Sequence, residues 1–427
     1  MSTDWSIALP DGLARPGLYA VESDQALAGT VQAALKGDVG ADVRPVLELT
    51  GVQVREDVAP LDLLLGLGRL TSALPGLHRI GAGGMPGLTA LRTASRWAVI
   101  RYLWAFADHR PDLKLSDLTN QVRFHQRTLL SESFGLALAA DLVERYVLPG
   151  ATRVVDADAV DYDPVLSFDM AALASHKPDY FWYRVDGDRL TDIVVVEVKG
   201  TTSGRWRCIE QMARGVEQVL VPARIRGVAM RRIVVGTELN NGKLKACAVE
   251  VAEPEETVRR HAYEVVRSRE FRRPAALDDP RDDRFSREVA KEAAAAESLT
   301  LDQVRLHAFA GVPVTYQSLF SGSEQVRRTL ERREVVVADG IGFRCEASQV
   351  EIGNQVLTVR TGVAEEFLSS SDAYRSGDLS ERRSAYRRRR TGRGQAPIRG
   401  ESMETGTSMP VATSGDGCML AISLETR

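Results

Sequence analysis

The chain has 427 residues, 44% of them hydrophobic and 26% charged, with 55 Lys and Arg against 58 Asp and Glu for a formal charge of -3. This is the composition of a folded chain of two or three domains, long enough to bury a core without disulfide staples. A charge so near balance does not favour broad nonspecific attraction to nucleic acid, so phosphate contacts would have to come from local patches.

The opening MSTDWSIALPDG carries an acid where a basic leader region would sit, and no run of about 18 uncharged apolar residues follows. Secretion and membrane spanning are therefore not expected. Four cysteines, at 208, 247, 345 and 418, form no CxxC pair, so neither a disulfide framework nor a zinc knuckle is indicated. The expectation is a reduced, cytoplasmic protein. Only seven of the 55 basic residues are lysine, a skew typical of a GC-rich coding sequence, which makes individual lysines more informative than arginine runs.

Residues 1–85 read as a mixed N-terminal region with a strand over Pro45–Val54 and a short buried helix at LDLLLGLGRL. The glycines of Gly81–Gly87 lack the GxGxxG spacing and read as a hinge into a helical pattern from Leu88 to Ala107. Residues 86–271 then carry the most regular block. A helix is expected over 123–147, strands at TRVVDADAV, DYFWYRV and TDIVVVEVKG, a helix over 205–221, strands at RRIVVGT and KLKACAVEVA, and a helix from about 255. Such alternation predicts an α/β fold with a mixed central sheet flanked by helices. A Pro- and Asp-rich linker, Arg272–Asp283, leads to an accessory domain over 284–365, helical at first and a β-meander at the end. There Asp339-Gly340 and Gly353-Asn354 supply hairpin turn chemistry. Residues 366–427 are Ser-, Gly- and Arg-rich and read as a disordered tail, in which only the final apolar run GCMLAISLE could form a stray strand, with no role assigned to it. Eight arginines between 382 and 399 could serve as a phosphate-binding arm or as a solvated tail.

Chemistry concentrates in KPDYFWYRVDGDRLTDIVVVEVKGTT. A period of two places Val195, Glu197 and Lys199 on one face and Val194, Val196 and Val198 on the other. If the two strands pair as a hairpin, Asp179 at the start of one meets Glu197 at the end of the other. Two carboxylates brought together call for a cation, and hard oxygen ligands suit Mg²⁺. The Val198 carbonyl could add a third protein oxygen, and Lys199 would attend an attacking water. The plainer alternative has Asp179 capping a turn while Glu197 and Lys199 pair as solvent-exposed neighbours at the sheet rim.

Pro178, Asp179, Glu197 and Lys199, in strands set in this order, resemble the PD-(D/E)XK nuclease superfamily over roughly residues 120–252. The resemblance implies a restriction-endonuclease-like core: a helix, a three-stranded antiparallel meander, a second helix and a further strand. It implies an acid from the first core helix, for which Glu132 is the best match and Glu144 the substitute, with Gly135 and Ala139 allowing that helix to approach the sheet. It also implies a glutamine on the helix after the E-x-K strand, Gln211. On that helix Trp206, Ile209, Ala213, Val216 and Leu220 form an apolar stripe, and Arg207, Gln211, Arg214 and Gln218 a polar one.

The function expected is Mg²⁺-dependent hydrolysis of DNA phosphodiester bonds, RNA remaining open, with Asp179 and Glu197 as metal ligands and Lys199, Glu132 and Gln211 assisting. The rival is a silent nuclease-fold protein that binds nucleic acid or assembles with a protein partner through residues 1–118 or 284–365. Other motifs fail. Gly236–Lys245 has a five-residue spacer and Leu244 where a P-loop needs Ser or Thr, so a hairpin turn explains it better. The six histidines show no HxH or HxxxH spacing, and His176, three residues before Asp179, reads as an exposed loop residue.

Overall fold

The computed structural model of the protein describes residues 8–35, 45–71, 96–149, 153–157, 177–252, 328–365 and 409–426, apart from a few positions within these spans, together with isolated residues elsewhere. The Gly81–Gly87 segment, His176, the linker and helices expected between 255 and 327, and the arginine block of 382–399 lie outside the described residues.

The N-terminal region contributes β1 (Gly17–Glu22), α1 (Gln25–Ala34), β2 (Val46–Glu48), β3 (Arg55–Val58) and α2 (Pro60–Thr71). Asp24 starts α1 by accepting the Leu27 N–H at 2.7 Å, the usual work of an N-cap carboxylate. Of the strand expected over Pro45–Val54 only Val46–Glu48 forms, because Gly51 takes φ 83° and turns the chain, and β3 begins beyond that range at Arg55. The helix expected at LDLLLGLGRL is α2. Its leucines are buried all round, as befits a helix packed on both sides. Residues 96–102 of the next helical pattern are helical, and 88–95 lie outside the described residues.

The central block follows as α3 (Phe124–Leu142), which ends in a π-helical turn (Val143–Val147), then β4 (Arg153–Asp156), β5 (Tyr180–Asp186), β6 (Arg189–Thr201), α4 (Arg205–Gln218), β7 (Arg224–Ile225), β8 (Val228–Asn240) and β9 (Lys243–Val251). Strands β4, β5 and β6 form an antiparallel meander, β8 runs parallel to β6, and β9 returns antiparallel through the turn at Gly242. The sheet has the order β3-β1-β9-β8-β6-β5-β4, with β1 parallel to β9. The protein is thus α/β with a mixed central sheet. The N-terminal strands extend that sheet instead of standing apart from it.

The two faces of the sheet have separate cores. Trp182, Val194, Val196, Val198, Ile233 and Val235 pack with α3. Phe181, Tyr183, Ile193, Val195, Val234 and Val249 pack with α1 and α4. Small residues set how closely α3 approaches. A Cβ on Gly135 would lie 3.2 Å from Val198 Cγ1, and one on Gly200 would lie 2.2 Å from the Ser131 carbonyl oxygen.

A second, five-stranded sheet has the order β10-β11-β12-β14-β13, built from β10 (Glu334–Ala338), β11 (Ile341–Ile352), β12 (Gln355–Ala364), β13 (Val411–Thr413) and β14 (Cys418–Thr426). The meander β10-β11-β12 turns through Gly340 and Gly353, both with positive φ. The expectation of a disordered tail from 366 onward is corrected at its far end. Strand β14 lies between β12 and β13, and Cys418–Ile422 are buried, so this apolar run supplies core to the sheet. Helix α2 packs between α3 and this second sheet. Arg96 ties the 96–102 helix to it through Glu346 and Ser348. Among the described residues no helix is long and apolar enough to cross a membrane.

Candidate functional site

The expected hairpin forms, and its register brings the three chemical residues together. The β5–β6 ladder reaches the Tyr180–Val196 pair, and one residue further Asp179 stands opposite the end of β6. There the Val198 N–H donates to Asp179 Oδ2 at 2.8 Å. In an extended chain the amide and carbonyl of one residue leave on the same edge, so the Val198 carbonyl also faces the Asp179 side. Lys199 Nζ donates to Glu197 Oε1. Glu197 Oε2 is buried with no hydrogen-bond partner.

Burial differs across the cluster. Glu197 is fully buried and Asp179 half-buried, while the Lys199 side chain is 24% exposed. Solvent therefore meets the cluster at Asp179 and Lys199. This also removes the plainer sequence alternative: Glu197 and Lys199 do pair, but not as solvent-exposed neighbours.

Burial, together with the Asp179 charge, pushes the Glu197 carboxyl up to about 8, against the pull of Lys199. Asp179 is also raised by burial, opposed by the Val198 amide and the Lys199 ammonium. Glu197, whose ionisation burial and the Asp179 charge both oppose, therefore keeps a proton near neutral pH unless a cation takes its place. One ammonium answers only part of that demand.

Helix α4 closes the face above. Gly215 lies directly on the cluster, because a Cβ there would come 3.0 Å from Glu197 Cγ and 3.7 Å from Lys199 Cε. Gln211 stands one turn earlier on the same side of the helix. It is half-buried, and its Oε1 is buried without a hydrogen-bond partner. Gln218 Nε2 donates to the Lys177 carbonyl at 2.9 Å and so holds the segment that leads into Asp179.

Glu132 is placed differently. It is exposed, on α3, whose Ser131–Glu132 backbone crosses Gly200 on the face of the sheet opposite to Glu197 and Lys199. Glu144 is drawn away into an ion pair with Arg69 of α2 at 3.0 Å. The apolar stripe expected on α4 is corrected at its first position. Trp206 is 64% exposed, and Cys208 and Met212 take the buried places beside Ile209, Ala213 and Val216. The sequence reading missed Trp206 as a surface aromatic because helical spacing alone put it on the apolar stripe.

No family model, curated protein or solved structure matches this chain.

Proposed function

We propose that the chain is a Mg²⁺-dependent nuclease of the PD-(D/E)XK type that hydrolyses phosphodiester bonds of DNA. The observation that carries this is the convergence of Asp179, Glu197 and Lys199 at the end of one β-hairpin, with a buried Glu197 oxygen left unpartnered. The order of elements supports it: helix α3, the β4-β5-β6 meander, α4, then β8 parallel to β6.

The donor set fits the metal. Two carboxylates and a main-chain carbonyl are hard oxygen ligands, and the buried Glu197 carboxyl, whose Oε2 has no hydrogen-bond partner, can exchange its proton for a cation. Asp179, Glu197 and the Val198 carbonyl would hold Mg²⁺. When bound, the ion supplies charge neutralisation at the phosphate and acidifies a coordinated water. Lys199 has the reach and the charge to orient that water and to stabilise the negative charge that builds on the phosphorus oxygens. Gln211 is positioned to hold Glu197 or the water network by hydrogen bonds. Glu132 can contribute only around the end of β6, since the sheet separates it from the other three.

Exposed Trp206 supports a substrate with stackable bases, because an aromatic face suits nucleic acid, although its neighbours Arg205 and Arg207 are already paired with Glu22 and Glu210. The test is incubation of the full chain with labelled duplex and single-stranded DNA, in Mg²⁺ and in EDTA. Product that requires Mg²⁺ is expected. Tight binding that ignores the metal and yields no product would support the rival instead, a silent nuclease-fold binding module.

A further inference from the structure

A second cluster lies on the same face of the sheet, under the first turns of α4, and the nuclease reading does not use it. Cys208 of α4, Glu238 of β8 and Cys247 of β9 are all buried, and their two sulfurs and a carboxylate oxygen lie within 4.8 Å of one another. They come from three elements that are remote in sequence. Strand register explains how they meet: Gly236 is the partner of Cys247 on one side and of Lys199 on the other. A Cβ at Gly236 would come 2.6 Å from Cys208 Sγ, so only glycine lets the α4 sulfur settle over this row.

The carboxylate is the independent sign of a ligand. Glu238 is 93% buried, and its Oε1 has no hydrogen-bond partner. A buried carboxylate oxygen without a partner is costly unless something neutralises it. The charges around it come from Arg205 and Lys245, and both of these are paired to Glu22.

We infer that Cys208, Glu238 and Cys247 form a structural site for a borderline-soft divalent cation, zinc being the best match. Thiolate and carboxylate ligands drawn from a helix and two strands suit the tetrahedral preference of Zn²⁺. The second Glu238 oxygen or a water takes the fourth place. A centre with two thiolates and one carboxylate carries one net negative charge. Arg205 and Lys245 set against Glu22 leave one net positive charge beside it, so the region is neutral with the ion bound, as it is without the ion when both thiols are protonated. The consequence is mechanical. The ion would pin the start of α4 to β8 and β9, one to two strand spacings from Lys199, roughly 5–10 Å. It is a different site from the Asp179–Glu197 pair, with softer ligands.

The experiment uses the full chain, reduced and stripped of metal, then titrated with Zn²⁺ against a chromophoric chelator and separately with Co²⁺. One equivalent of Zn²⁺ should bind, and Co²⁺ should give thiolate-to-metal charge-transfer absorption. Glu238→Gln and Cys247→Ser should each weaken Zn²⁺ binding by about 100-fold or more. Glu238→Gln keeps both thiols and guards against misfolding of the cysteine variant. An Asp179→Asn, Glu197→Gln double variant should retain the zinc, which separates this site from the proposed nuclease centre. Zinc binding that is unchanged in Glu238→Gln and Cys247→Ser, no Co²⁺–thiolate band, or a Cys208–Cys247 disulfide formed in place of metal uptake would overturn the proposal.

Discussion

Gly215 leaves the space that Glu197 fills: a Cβ at 215 would approach Glu197 Cγ to 3.0 Å and Val234 Cγ1 to 2.9 Å. Gly215→Ala therefore tests whether the close seat of α4 matters. The substitution gains up to about 1 kcal/mol of helix propensity, while overpacking costs about 1–3 kcal/mol. A small net loss of stability is expected in thermal melts, with a larger fractional loss of Mg²⁺-dependent cleavage because Glu197 must move. Full activity with a lowered melting temperature would place the constraint outside the site.

The buried Glu197 carboxyl sets a pH dependence. Its pKa is about 8 in the folded chain against an ordinary value of 4.5. Below 4.5 both folded and unfolded chains hold the proton. Between 4.5 and about 8 the folded chain keeps a proton that the unfolded chain has released, so stability falls as pH rises and levels off above 8. Glu197→Gln should flatten that slope and be more stable than the parent at pH 8 by on the order of 2 kcal/mol in denaturant melts without metal. The same group must lose its proton to take a cation, so cleavage at subsaturating Mg²⁺ should climb toward about pH 8. A parallel pH slope in parent and variant would count against the assignment.

Trp206 offers a clean separation of binding from folding. It is 64% exposed, so Trp206→Ala should leave the melting temperature within about 1 °C while weakening single-stranded DNA binding by about 1–3 kcal/mol, read by fluorescence anisotropy. Unchanged affinity would remove this residue from the substrate path.

Deletion of residues 411–427 removes β13 and β14 and exposes the long edge of β12. That edge would become a template for association, and the buried row Met419–Ile422 would be lost. The truncated chain should be recovered as aggregate. A soluble, cooperatively melting product would mean that the second sheet tolerates the loss.

How much of this was legible in the sequence follows from what each element depends on. The meander and the face alternation of Val194–Lys199 were readable because strand periodicity is local. Asp179 could be placed beside Glu197 because a hairpin fixes its own register. Gly135 was readable as a contact point, and it does meet Val198. By contrast, the parallel pairing of β1 with β9 joins residues more than 200 positions apart, and nothing near Gly17–Glu22 announces it. The strand Cys418–Thr426 was noticed only as an isolated apolar run, because the arginine- and glycine-rich stretch before it dominates the composition. The Cys208–Glu238–Cys247 cluster has no spacing signature, since topology alone assembles it. Glu132 matched its motif position, but only the placement of α3 reveals that the sheet stands between it and Lys199.

The most direct measurement is single-turnover cleavage of labelled DNA in Mg²⁺ by the parent chain and by Lys199→Ala, with folding of both checked by circular dichroism. Lys199 donates only to Glu197 within the cluster and is partly exposed, so its removal should leave the fold intact. A rate lower by at least about 100-fold in the variant is the predicted result. Equal rates, or no Mg²⁺-dependent product from the parent, would contradict the proposed nuclease centre.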